Sequence, residues 1–106
     1  MTSTPHARYR LSAIIHQPVR FSIVAALAPA ESLDFSTIRN AVQVSDSVLS
    51  KQITILEEAG LVDVKKGYVG KRPRTWVKLT PKGRKAWHNH LDTLREIADS
   101  IGTPQN

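Results

Sequence analysis

The stretch that most narrows the possible folds runs from Ser45 to Gly60, Ser-Asp-Ser-Val-Leu-Ser-Lys-Gln-Ile-Thr-Ile-Leu-Glu-Glu-Ala-Gly. It carries a full set of helix signals: Ser45 as N-cap, Asp46 at the positive end of the dipole, and Gly60 for the left-handed position that ends a helix. Leu49, Ile53, Leu56 and Ala59 repeat at helical spacing and form one buried stripe. Rotation by about 100° per residue turns Ser47, Lys51 and Thr54 outward, with Val48 and Ser50 on the shoulders. After Gly60 the apolar period drops to two, with Val62 and Val64 on one strand face and Val77 and Leu79 on another. This helix must therefore pack beside a β-hairpin.

The remaining segments fit around that pair. Arg8 to His16 reads as a short helix with Leu11, Ile14 and Ile15 on one side, and Gln17 before Pro18 ends it. Pro18 opens a second helix, buried through Val19, Ile23 and Leu27, which Pro29 closes. Glu31 to Leu33 is a short extended piece. Asp34 caps a helix from Phe35 to Val42 whose stripe is Phe35, Ile38, Ala41 and Val42. Gln43-Val44 then links it to Ser45, a helix-turn-helix without the usual turn glycine.

Strands are expected at Leu61 to Lys66 and Thr75 to Leu79, joined by a tip, Gly67 to Arg74, longer than the two-residue minimum. Thr80-Pro81 begins a last helix of ~30 Å, with a seam of Trp87, Leu91, Leu94, Ala98 and Ile101. A seam of that length implies a partner helix, most simply from a second copy of the chain, although a stripe alone does not distinguish that copy from the chain's own N-terminal helix.

The expected fold class is α+β, mainly helical: a winged helix-turn-helix (three-helix core plus β-hairpin wing) with extra N-terminal and long C-terminal helices. Residues 1–7 read as a tail, 8–80 as the winged-helix domain, 81–102 as a dimerisation helix and 103–106 as a second tail.

Charge points to the partner. Between Asp63 and Lys85 lie nine of the 15 Lys and Arg residues and one acid, so this segment is +8 while the remainder of the +6 chain is −2. A basic segment on a mildly acidic body suits a polyanion that meets one side of the fold. The absence of Cys removes disulfides and thiolate chemistry and agrees with a cytoplasmic location. The apolar run Phe21 to Ala30 is too short to cross a bilayer, so no membrane partner is expected.

His88 and His90 diverge by about 200° on a helix and do not share a metal, so both read as surface histidines; no cofactor or metal is expected. No nucleophile elbow, phosphate loop or ligand spacing indicates an enzyme.

Several motifs, in this order, resemble the winged helix-turn-helix transcriptional regulators of the MarR-like and PadR-like groups. They are His16-Gln17-Pro18-Val19-Arg20, Leu49-Ser50-Lys51, Leu56-Glu57-Glu58-Ala59-Gly60, Gly67-Tyr68-Val69-Gly70-Lys71-Arg72-Pro73-Arg74-Thr75 and Leu79-Thr80-Pro81-Lys82-Gly83-Arg84. The resemblance implies double-stranded DNA as partner. Its recognition helix would use Ser45, Ser47, Val48, Ser50, Lys51 and Thr54; its wing would use Lys71, Arg72 and Arg74; Ser36 and Thr37 would contact phosphate.

The dimer interface would comprise Leu11, Ile15, Trp87, Leu91, Leu94, Ala98 and Ile101. Thr54 and Ile55 stand where relatives often carry basic residues, which shifts affinity to the wing. The implied function is a sequence-specific regulator, by default a repressor, that binds a palindrome as a homodimer; any small-molecule effector is unknown. The alternatives are a winged-helix module that docks on a larger assembly and a non-specific nucleic-acid binder.

Overall fold

Why the chain turns so sharply at Gln43 is answered by its backbone: φ is 59°, a left-handed conformation that closes the third helix without glycine. This geometry comes from the computed structural model of the chain, which describes residues 6 and 12–102, the side chains of 101 and 102 excepted. The expected tails, apart from residue 6, and the expected helical turn over 8–11, Leu11 included, lie outside the described residues.

Helix α1 (Ala13–His16) is capped by Ser12, whose hydroxyl accepts the Ile15 N–H. Helix α2 (Pro18–Leu27) starts at Pro18 as expected, with the Gln17 side chain accepting the Arg20 N–H at 2.8 Å. Strand β1 (Leu33–Asp34) leads directly into α3 (Phe35–Val42), and α4 (Asp46–Glu58) follows with Ser45 as N-cap. Gly60 ends this segment at φ 77°.

Strands β2 (Val62–Val69) and β3 (Arg72–Leu79) pair antiparallel from Val62↔Leu79 to Val69↔Arg72, and β1 adds to the far edge of β3 in the order β1-β3-β2. Helix α5 (Pro81–Gly102) is the last of the described elements.

The hairpin differs from expectation. Its loop is the two-residue minimum, Gly70-Lys71, and the strands run through the segment read as a tip. Gly67 continues the strand because the Trp76 indole lies over it: a Cβ there would sit 3.2 Å from the ring. Pro73 is tolerated because β1 pairs with β3 only at Val77 and Trp76, which leaves an edge of β3 open at Pro73. Gly70, at φ 61°, takes the positive angle that a tight hairpin turn requires.

The core joins Ile23 and Leu27 of α2, Ile38 of α3, Leu49 and Leu56 of α4, and Val77 of β3, all fully buried. Thr80 locks the base of α5 to the end of α4, accepting the Gly83 N–H at 2.9 Å and donating to the Gly60 carbonyl at 2.6 Å.

Three further expectations change, at Ile15, Ala41 and His90. Ile15 is fully buried in its own chain's core, where α1 packs on α2, and has no surface left for a partner. Ala41 is exposed. Within the single chain the covered line of α5 runs through His90 and Thr93, with Leu91, Leu94 and Ile97 half-buried and Ala98 exposed. Trp87 is half-buried and packs within its own chain, its ring 5.1 Å from that of Phe21. His90 is therefore a buried histidine, not a surface one.

Candidate nucleic-acid interface

The outward face of α4 is as the helical period requires: Ser47, Val48, Ser50, Lys51 and Thr54 are all exposed. Their roles are not equal. The Ser45 hydroxyl accepts the Val48 N–H at 3.2 Å and lies 3.2 Å from that of Ser47, so it serves the helix start. Thr54 turns its hydroxyl back to the Ser50 carbonyl at 2.9 Å, which presents its methyl outward. Val48 is 39% exposed, an apolar group that suits a thymine methyl in a major groove.

The helix is held at a fixed angle by two contacts. Arg20 donates to Gln52 Oε1 and to the Ile14 carbonyl, both at 2.6 Å, and Arg39 pairs with Asp46 at 2.8 Å across the turn.

Two clefts join this face to the hairpin. One, of about 280 Å³, lies between α4 and the hairpin, with Ser50, Thr54 and Glu57 on one wall and Val64, Lys66 and Thr75 on the other. The second, of about 310 Å³, lies between the start of α3 and the hairpin, bounded by Asp34, Ser36, Arg72 and Arg74. Phe35 and Thr75 line both clefts, so the Ser50–Thr54–Glu57 flank of α4, the α3 N-terminus and the wing border one continuous surface.

Strand alternation divides the wing cations. Cross-strand partners share a face. Lys66 and Tyr68 leave the hairpin on the side of Val62 and Val64, toward α4, whereas Arg72 and Arg74 leave with Lys65 and Lys78 on the other. Arg72 and Arg74 meet the surface beside the α3 N-terminus, and Lys71 stands exposed in the turn.

Reading charge as one block missed this division, which separates Lys66 from Arg72 and Arg74. Tyr68 is 72% exposed and Val69 46%, large apolar bodies left in solvent on the wing. Strand register was the signal that could have found the division, once the loop was known to be two residues long.

Two cations of the basic segment are turned away from this surface. Lys82 donates to the Ala59 carbonyl at 3.0 Å, and Arg84 donates to the Ala28 and Ala30 carbonyls at 3.0 and 3.1 Å. Both satisfy backbone acceptors left over at helix ends.

Ser36 and Thr37, the expected phosphate contacts, stand exposed at the start of α3. Both hydroxyls donate to the Asp34 carboxylate, at 2.7 Å for Ser36. Those bonds, from Thr37 first and Ser36 next, hold the Asp34 carboxyl below its ordinary pKa, with the Arg74 charge adding to them. In the free chain those protons are shared with a carboxylate, beside the N–H groups of the first turn of α3, which have no side-chain cap.

Among the described residues, no group of three or more His, Asp or Glu side chains is placed to hold a metal, and no helix is long and apolar enough to cross a membrane.

A helix-turn-helix whose second helix faces outward beside a cationic two-stranded wing defines a winged-helix DNA-binding protein. A family model described as a winged helix DNA-binding domain matches residues 19–98, most of the chain, and the protein belongs to that family. It is 31% identical to an uncharacterised protein of Methanocaldococcus jannaschii, over 83% of this chain and 96% of that one. A transcriptional regulator homologue from Pyrococcus horikoshii OT3 is 32% identical, with a TM-score of 0.80 over 86% of this chain and 90% of its own.

A MarR-family regulator from Silicibacter pomeroyi is 23% identical with a TM-score of 0.64, over 95% of this chain and 67% of its own, a likeness of fold. The family is one of DNA-binding regulators, not enzymes.

Proposed function

We propose that this protein is a site-specific repressor that binds a palindromic duplex as a homodimer and blocks transcription by occlusion. The observation that carries the reading is the surface shared by Phe35 and Thr75, which sets the Ser50–Thr54–Glu57 flank of α4, the α3 N-terminus and the wing side by side. In this arrangement Ser47, Val48, Ser50 and Lys51 reach base edges in the major groove. Arg72, Arg74, Lys71 and Lys66 grip the flanking backbone, and the first-turn N–H groups of α3 hold a phosphate. Helix α5 beyond the domain supplies the two-fold contact through Leu91 and Leu94. Half-sites then lie about 10 to 10.5 bp apart, centre to centre, or a multiple of that distance.

Competition of a labelled palindrome, recovered by selection from random DNA, against random duplex at several salt concentrations tests this function. Steeply salt-dependent, specific retention is expected; equal competition by random duplex would replace the reading with shape binding, and no retention would replace it with a docking module. Arg72→Ala combined with Arg74→Ala should weaken binding to every duplex and flatten the salt dependence, because the slope falls by about one for each phosphate that is no longer neutralised. Ser47→Ala or Lys51→Ala should instead change the ranking of sequences, by about 1–3 kcal/mol at the base pair concerned.

A further inference from the structure

His90 is a group whose environment the DNA-binding reading does not use. It sits on the third turn of α5, 1% exposed, with its ring 5.5 Å from that of His16 on α1 and 5.8 Å from that of Phe21 on α2. Its Nδ1 accepts the backbone N–H of Ser12, the N-cap residue of α1, at 3.3 Å. A backbone N–H only donates, so Nδ1 is unprotonated and the neutral ring carries its hydrogen on Nε2. Nε2 is buried and has no hydrogen-bond partner among the described residues. The titratable group that faces it is His16, and Phe21, the α2 residue in contact, carries no charge.

We propose that this contact is an acid-opened latch: protonation of His90 at Nδ1 sets two donors against each other at Ser12, places a buried charge beside His16, and undocks the middle of α5 from α1. Every feature of the site opposes the charged ring. The added proton destroys the bond to Ser12, no carboxylate among the described residues compensates it, and a buried unpaired charge is costly. Burial first, and the nearby His16 second, lower the pKa of His90 from its ordinary 6.5. The sign follows: the docked form binds fewer protons than the undocked form, so docking is intact above about pH 6.5 and is lost as pH falls from there toward the lowered value. Because the contact ties the middle of α5 to α1, opening the latch frees the distal half of the helix to change its angle to the recognition surface. The consequence for DNA rests on the homodimer reading above; the latch itself does not.

The test follows the protection of the Ser12 amide by NMR hydrogen exchange in the full chain from pH 7.5 to 5, alongside affinity for the palindrome and for an isolated half-site. Expected are loss of Ser12 protection in acid and a parallel fall in the preference for palindrome over half-site. Both should flatten in His90→Gln, whose amide oxygen still accepts the N–H but does not charge. His16→Gln, at an exposed position, removes a neighbour that opposes the charged ring and should move the opening to lower pH and reduce its extent. Ser12 protection that is constant with pH, or that falls identically in His90→Gln, overturns the latch. Protection that titrates while palindrome preference stays constant overturns its coupling to DNA. A palindrome bound no better than a half-site at any pH removes the homodimer reading instead, and leaves the Ser12 measurement to decide the latch.

Discussion

Gly83 and Gly70 show how different two glycines of one chain can be. A Cβ at Gly83 would lie 2.0 Å from the Leu61 carbonyl oxygen, so α5 and the α4–β2 connection approach closely only because that atom is missing. At Gly70 a Cβ would meet nothing within 4 Å, and only the positive φ of 61° matters. Gly83→Ala should therefore cost about 3 kcal/mol or more, the upper end of overpacking penalties, and Gly70→Ala only about 1 kcal/mol, an order that urea denaturation of the two variants would check. Gln43 already bears a side chain at φ 59°. A β-branched replacement there, Gln43→Val, should cost about 1–2 kcal/mol, whereas Gln43→Gly should cost nothing measurable.

Asp34 makes a pH prediction at the same scale. The Thr37 and Ser36 hydroxyls keep its carboxyl below the ordinary 3.8, so the unfolded chain takes up the proton first as acid is added. Its contribution is complete above about pH 4 and lost as pH falls through the lowered value. Asp34→Asn should lower stability at pH 7 but close the gap with wild type near pH 2 to 3, measured by denaturant titration at both pH values.

At the scale of elements, the basic segment divides by the work each helix and strand requires. Arg84 fastens the start of α5 to the end of α2 through two carbonyls, while Arg74 on the central strand faces the surface beside α3. Arg84→Ala should cost about 1–2 kcal/mol of stability and leave duplex affinity unchanged. Arg74→Ala should do the reverse, and the pair of measurements, thermal unfolding and duplex titration, would expose any exchange of roles.

The helix-turn-helix was readable because its cues are local: an N-cap at Ser45, a stripe at Leu49, Ile53 and Leu56, and a left-handed stop at Gly60. Register in the hairpin was not. Gly67 and Pro73 are turn residues by propensity, and what keeps them in strands is the Trp76 ring over one and an open edge beside the other, both properties of the assembled sheet.

As a whole the molecule is elongated, 63 × 25 × 23 Å, because α5 spans 22 residues, about 33 Å, and runs past the domain that anchors it. In the proposed dimer its distal half meets a second copy. Leu94→Lys should then yield a monomer by sedimentation that keeps half-site binding and loses palindrome preference.

The amino-acid order by itself determined the succession of elements, the outward face of α4 and the sign of the partner's charge, since caps, periodicity and composition act over a few residues. Only the tertiary structure decided that Ile15, Trp87 and His90 pack within their own chain, that Lys66 and Arg74 leave opposite faces of the hairpin, and that Ser36 and Thr37 give their protons to Asp34. Each of those outcomes depends on which surface a side chain meets after the chain has folded back, and a periodic stripe has the same spacing whatever covers it.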